Sequence, residues 1–321
     1  MNKYYRYVSL VLVAAFLIFQ GCSDDSTKSK KVNEFKLAAE LGNTFLDGGL
    51  KIITGTDLYT GLQSNADNYY MIDLRTAADF ASGHIDGAIN MTAGNVTENL
   101  STIPTDKDII LICYSGQTAS QVASYLNIIG YEAYVLKFGM CGWTTDPTVN
   151  GTDKWSALTP TDATLNVTNN DITAAPVQEY PELGNSNDDA VEVVKTNMDT
   201  YLTAGTKNKG ISTVWADIAN YFIIDLRSEA SYAAGHISGA YRVAMADLGY
   251  DENLKYLPAD QPILVVCYTG HTASHVTSYL NMLGYEAYNI LYGMKSITFD
   301  TNISGSNYTA PAVNLPVVIG N

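Results

Sequence analysis

An α/β fold of two related domains, each a central, mostly parallel sheet flanked by helices, is what the sequence predicts, and three observations predict it. Ile109-Ile110-Leu111-Ile112 and Ile263-Leu264-Val265-Val266 are short, continuous apolar runs, the composition of strands buried on both faces of a parallel sheet. Each run leads through a Gly-containing loop into an amphipathic stretch, Ala119 to Ile129 or Ala273 to Leu283, closed by Gly130 or Gly284. The loop itself recurs: Cys113-Tyr114-Ser115-Gly116-Gln117-Thr118-Ala119-Ser120 returns as Cys267-Tyr268-Thr269-Gly270-His271-Thr272-Ala273-Ser274.

The repeat extends well beyond the loops. Asp73-Leu74-Arg75 matches Asp225-Leu226-Arg227, and Gly83-His84-Ile85-Asp86-Gly87-Ala88 matches Gly235-His236-Ile237-Ser238-Gly239-Ala240. Downstream, Gly130-Tyr131-Glu132-Ala133-Tyr134 matches Gly284-Tyr285-Glu286-Ala287-Tyr288. The offset is 152 residues before the loops and 154 from the loops onward, so each unit is domain-sized and no solenoid is implied.

Taken in order, the chain opens with Lys3 and Arg6, an apolar run from Val8 to Phe19, and Gly21-Cys22. Residues 1–22 read as a lipoprotein signal peptide: the run is too short to span a bilayer, which takes about 20 apolar residues, and a small residue before cysteine makes Cys22 the expected lipidation site. That predicts a lipid-anchored protein of the bacterial cell envelope. Domain 1 is assigned to residues 33–145. Phe35, Leu37, Ala38, Leu41 and Phe45 follow a helical rhythm between Asn33 and Leu46, Thr56-Asp57 is expected to cap a second helix, and Tyr69 to Leu74 reads as a strand. A connector of 146–187, rich in Thr, Asn, Asp and Pro, precedes domain 2 at 188–300, and a tail of similar composition at 301–321 is expected to be that domain's own version of the connector.

With 33 acidic against 18 basic residues, the net charge of −15 argues against nucleic acid, whose phosphates require a basic patch. Hydrophobic residues at 46% are ample for folded cores. Setting Cys22 aside leaves Cys113, Cys141 and Cys267, an odd number in an oxidising compartment, so reactive thiols fit better than a disulfide framework.

Strand, loop, helix, strand is a βαβ unit that places each loop cysteine at the carboxyl end of a central strand, where open α/β sheets bind ligands. Backbone N–H groups of residues 114 to 118 can curl around the sulfur, and with the helix N-terminus they are expected to lower the thiol pKa below its ordinary value of about 8.5. Asp-x-Arg, Gly-His-Ile-x-Gly-Ala and Cys-x-x-Gly-x-Thr-Ala all occur in order, twice, and in this combination the chain resembles the rhodanese family over roughly 33–145 and 188–300.

The resemblance implies a cysteine that becomes a persulfide while sulfane sulfur passes from a donor to a thiophilic acceptor. Cys113 and Cys267 match the nucleophile position. Tyr114, Ser115, Gly116, Gln117 and Thr118, with Tyr268, Thr269, Gly270, His271 and Thr272, then form the substrate-binding loops. The expected partners are a small sulfur compound or acceptor thiol and, through the lipid anchor, a membrane; no cofactor or metal is invoked. Cysteine phosphatases use a similar loop but need an arginine where Ala119 and Ala273 stand, which removes the charge that would stabilise phosphoryl transfer. Uncharged Tyr114-Ser115 and Tyr268-Thr269 beside the cysteines predict weak use of thiosulfate and better use of polysulfide.

His84 and His236 are expected to orient turns, and Asp73 with Arg75 and Asp225 with Arg227 to form buried braces. Cys267, His271 and His275 share a helical spacing suggestive of metal, but Gln117 and Gln121 occupy the matching places in the first copy, so His271 is instead expected to acidify Cys267 when protonated. Cys141, whose counterpart is Lys295, is a buried small hydrophobe or a candidate resolving thiol for Cys113. The alternative to an enzyme is a non-enzymatic sulfur-binding or redox-sensing envelope lipoprotein.

Overall fold

Asn33 accepts the Lys36 N–H at 2.9 Å and so starts helix α1, Glu34–Gly48. The computed structural model describes residues 33–151, 155, 176–305 and 313–320. The leader and Cys22 lie outside them, as do residues 156–175 of the connector and 306–312 of the tail. No helix among the described residues is long and apolar enough to cross a membrane.

After α1 come β1 (Ile52–Ile53), α2 (Gly55–Asn65), β2 (Tyr69–Asp73), α3 (Ala77–Ser82), β3 (Ile89–Asn90), α4 (Ala93–Glu98), β4 (Asp108–Ile112), α5 (Gln117–Ile128) and β5 (Ala133–Leu136). The second copy runs α6 (Ala190–Thr203), β6 (Asn208–Lys209), α7 (Ile211–Val214), β7 (Phe222–Asp225), α8 (Glu229–Ala234), β8 (Tyr241–Arg242), β9 (Ile263–Val266), α9 (His271–Met282), β10 (Ala287–Ile290) and α10 (Thr301–Ser304). Each copy folds into a five-stranded sheet, ordered β1-β5-β4-β2-β3 and β6-β10-β9-β7-β8, and every strand pairing within the sheets is parallel. The runs 109–112 and 263–266 are completely buried, as strands covered on both faces require.

Two local expectations shift. The second helix is capped by Thr54, whose hydroxyl accepts the Asp57 N–H at 3.1 Å, because the preceding β1 places Thr54 at the helix start. Helices α5 and α9 begin at Gln117 and His271, two residues earlier than the apolar pattern indicated, because Gly116 and Gly270 take left-handed φ values of 86° and 83° and turn the chain at once.

The sheets do not stand apart. Helices α1, α5, α6 and α9 fill the space between them, and one apolar cluster joins Leu111, Val122, Tyr125 and Leu126 of the first copy to Val265, Val276, Tyr279 and Leu280 of the second. The end of the connector seals this layer: Glu34 accepts the N–H groups of Asn185 at 2.9 Å and Asn187 at 2.8 Å, and Tyr180 stacks on Phe35 at 4.4 Å. The tail is more than a second connector. Ile303 does mirror Val149, each carbonyl accepting a buried arginine, but residues beyond it return to the first domain, where His84 and Val318 pair backbone to backbone and Leu315 N–H donates to the Trp143 carbonyl.

Candidate active site

Cys113 directly follows β4 and Cys267 directly follows β9, so the sheet delivers both sulfurs to the carboxyl ends of central strands. Gly116 N–H donates to Cys113 Sγ at 3.1 Å, and Gly270 N–H to Cys267 Sγ at 3.1 Å; Ala273 N–H adds a second bond to Cys267 at 3.4 Å. Only 3% of either cysteine is exposed. That burial corrects the expectation of acidified thiols. Loss of hydration raises both pKa values above the ordinary thiol value, and the Asp73 or Asp225 carboxylate pushes the same way. The N–H groups of residues 115, 116 and 119, or 269, 270 and 273, oppose the shift and moderate it.

Behind each loop stands a 3₁₀ turn, Gly139–Gly142 or Gly293–Ser296. Met140 N–H donates to the Cys113 carbonyl at 2.8 Å and Cys141 N–H to the Tyr114 carbonyl at 3.0 Å; Met294 and Lys295 repeat this on Cys267 and Tyr268 at 2.9 and 3.3 Å. Packing here is backbone on backbone. A Cβ on Gly139 would fall 2.1 Å from the Cys113 carbonyl oxygen.

The remaining predicted residues divide by where their polar atoms point. Tyr114 donates its hydroxyl to Asp79, and Tyr268 bonds Ser228 at 2.9 Å and Ser231 at 3.0 Å, so both hydroxyls brace the starts of α3 and α8 and face away from the sulfur. Gln117 Nε2 donates to Ser115 Oγ at 3.2 Å while its Oε1 crosses to the other domain, accepting Tyr292 N–H at 2.9 Å and Asn289 Nδ2 at 3.0 Å. His271 does the mirror-image work: Nε2 accepts Phe138 N–H at 3.3 Å, which leaves Nδ1 to donate to Thr269 Oγ1 at 3.1 Å. Burial, with Lys137 nearby, lowers its pKa to about 3. His271 is therefore neutral and directed across the domain seam, which corrects its expected role as a protonated neighbour of Cys267. His275 also faces the first domain, with Nδ1 2.8 Å from Ser124 Oγ, so the two imidazoles do not converge on the sulfur.

His84 and His236 donate Nδ1–H to the carbonyls of Phe80 and Tyr232, both at 2.9 Å, and stack on the same rings. Arg75 bridges Asp73 at 2.7 Å, Gly83 O at 2.8 Å and Val149 O at 2.6 Å; Arg227 repeats the pattern with Asp225, Gly235 and Ile303. These braces hold the strand ends that carry the loops.

The mouths differ. An open cavity of about 430 Å³ adjoins the Cys267 loop, lined by Tyr268, Thr269, Thr272 and Lys295 of the second domain and by Lys137 and Phe138 of the first. At the Cys113 loop, Ser115 is buried, the Tyr292 hydroxyl bonds its side chain, and Trp155 packs edge-on against both Phe138 at 5.1 Å and Tyr292 at 4.9 Å. Cys141 is buried with Phe138 and Trp155, its Sγ 3.4 Å from the Asn150 carbonyl. Sequence reading missed Lys137, Phe138, Trp155 and Tyr292. The signal for two of them was available in the 154-residue offset, which pairs Phe138 with Tyr292.

Two parallel sheets, each ending in an amide-ringed cysteine before a helix, define a pair of rhodanese-type domains. The family model for the rhodanese-like domain matches residues 55–146 and 211–299, more than half of the chain, which belongs to that family. A thiosulfate sulfurtransferase GlpE of Shewanella oneidensis is 30% identical over 81 residues, 25% of this chain and 80% of that protein. A sulfurtransferase of Allochromatium vinosum is 30% identical over 81 residues, 25% of this chain and 76% of that protein. Among solved structures, SSP1007 of Staphylococcus saprophyticus is 28% identical, covering 28% of this chain and 90% of that one, with a TM-score of 0.27.

Proposed function

We propose that the protein is a sulfurtransferase in which Cys113 and Cys267 each carry sulfane sulfur as a persulfide. The observation that carries this reading is the glycine N–H held 3.1 Å from each sulfur at the end of a central strand. In the first half-reaction, Sγ bonds the outer sulfur of a persulfide or polysulfide donor and the donor's S–S bond breaks. The departing inner sulfur takes the electron pair and the cysteine's proton, so a buried, protonated thiol needs no separate base. The new terminal sulfur is anionic and extends toward the loop N–H groups, which supply the charge stabilisation. In the second, an acceptor thiolate or cyanide attacks that outer sulfur, the Sγ–S bond breaks with its electron pair passing to Sγ, and the cysteine thiolate takes a proton from water.

The weak thiosulfate use expected of both uncharged loops is proposed here for the Cys113 site alone, where aromatic rings crowd the mouth. At the Cys267 site, Lys137 lines the cavity from the first domain and favours an anionic donor such as thiosulfate, whose transfer releases sulfite, while the buried Lys295 ammonium bonds Ser304 Oγ at 3.2 Å and the Gly305 carbonyl at 3.0 Å. We further propose domain limits of 33–145 and 188–300 and an envelope location through lipidated Cys22, which radiolabelled palmitate incorporation lost in Cys22→Ser would support.

Deep burial of both sulfurs favours one second reading, a carrier that stores or signals persulfide without turnover. Turnover counting with polysulfide and excess acceptor thiol separates the two. Many turnovers, abolished only in the Cys113→Ser, Cys267→Ser double variant, support the enzyme; a single equivalent per cysteine supports the carrier. Unchanged turnover in the double variant contradicts both.

A further inference from the structure

We propose that each cysteine loop is positioned by the other domain: Gln117 is a positioning residue for the Cys267 loop, and His271 is a positioning residue for the Cys113 loop. The inference deepens the sulfur-carrier reading, yet its geometry stands independently of it.

The path can be followed atom by atom. Gln117 opens the helix behind Cys113, and its Oε1 holds Tyr292 N–H at 2.9 Å. Tyr292, at a left-handed φ of 64°, launches the turn whose Met294 and Lys295 N–H groups grip the carbonyls of Cys267 and Tyr268. In the other direction, His271 opens the helix behind Cys267, its Nε2 holds Phe138 N–H, and Phe138, also at φ 64°, launches the turn whose Met140 and Cys141 grip Cys113 and Tyr114. The two paths close into a ring through both loops.

The loop glycines provide a second, independent contact along the same route. A Cβ on Gly116 would lie 2.4 Å from His271 Nε2, and a Cβ on Gly270 would lie 2.3 Å from Gln117 Oε1. Each glycine thus admits the partner domain's side chain against the residue whose N–H bonds the sulfur. Glutamine and imidazole are interchangeable in this role because each offers one donor to its own loop, to Ser115 or Thr269, and one acceptor across the seam. The neutrality that burial imposes on His271 preserves that acceptor.

Thiol alkylation tests this without requiring sulfur transfer. Full-length wild type, Gln117→Ala, His271→Ala and His271→Gln are treated with iodoacetamide, and the rates at the Cys113 and Cys267 peptides are read by mass spectrometry. Removing a crossing hydrogen bond favours opening of the loop it holds, which unburies that sulfur, so its alkylation rises by about threefold to tenfold. The expected pattern is crossed: Gln117→Ala accelerates Cys267 over Cys113, His271→Ala accelerates Cys113 over Cys267, and His271→Gln stays close to wild type. Acceleration confined to each variant's own loop, equal acceleration of both cysteines, unchanged rates at both, or a variant too unfolded to show any difference between the two peptides while His271→Gln matches His271→Ala, would each overturn the proposal. Because the unmodified thiols are read, failure of this pattern leaves the sulfur-carrier reading standing, and failure of turnover leaves this pattern measurable.

Discussion

The two cysteine loops share their backbone and differ in what their surroundings add. Around Cys113 lie the rings of Trp155, Phe138 and Tyr292, a buried Ser115 and a neighbouring Cys141. Around Cys267 lies an open cavity with Lys137 on its first-domain side and the internally bonded Lys295 at the position equivalent to Cys141. A duplicated loop has thus kept the hydrogen bonds that hold a sulfur while its approaches diverged in charge and access. The shared part is fixed within each domain; the divergence arises partly inside each domain, at Ser115, Cys141 and Lys295, and partly from the partner domain and the connector, through Tyr292, Lys137 and Trp155.

The largest expected effects fall on what the domains share. Arg75→Ala and Arg227→Ala each leave an aspartate buried without its guanidinium and several carbonyls unsatisfied, and should cost about 3–5 kcal/mol in denaturant titration. A clear inequality between them would show that the copies contribute unequally to the common core. Next comes the division of labour: Cys267→Ser should lower thiosulfate turnover by about 100-fold, or about 2.7 kcal/mol, while Cys113→Ser changes it by less than about threefold. Equal losses would erase the proposed distinction between the mouths.

Stability against acid sharpens the comparison in another way, since the second copy has histidines where the first has glutamines. His271 and His275 are held at about 3, below the ordinary 6.5, by burial first, then by Lys137 for His271 and by His271 for His275. The unfolded chain takes up protons first, so their stabilisation is complete above pH 6.5 and is lost as pH falls toward 3. Each removes about 2 kcal/mol by pH 5. Replacing His275 with the glutamine of the first copy should reduce the loss of stability between pH 7 and 5 by about 2 kcal/mol in denaturant titration. The smallest effect is on affinity: Lys137→Ala should raise the thiosulfate KM by about fivefold in steady-state kinetics.

Much of this molecule was legible in its residues. Isoleucine and valine runs named the central strands, Gly116 and Gly270 named the turns, and the repeated Asp-x-Arg named the braces, because each is dictated by contacts close in sequence or by the repeat itself. The crossing of Gln117 and His271 was not legible, since it depends on how two domains pack α5 against α9. Lys137 and Trp155 escaped for the same reason: they act on loops to which only tertiary packing brings them. The thiol pKa was misjudged because the loop pattern reveals amide donors but not the depth at which the sulfur lies.

The most direct test of the sulfur-carrier account is peptide mass mapping of protein treated with polysulfide, blocked by alkylation and digested without reductant. The account predicts that the peptides of both Cys113 and Cys267 gain one sulfur atom. Sulfur found on neither, or on Cys141 alone, would contradict it.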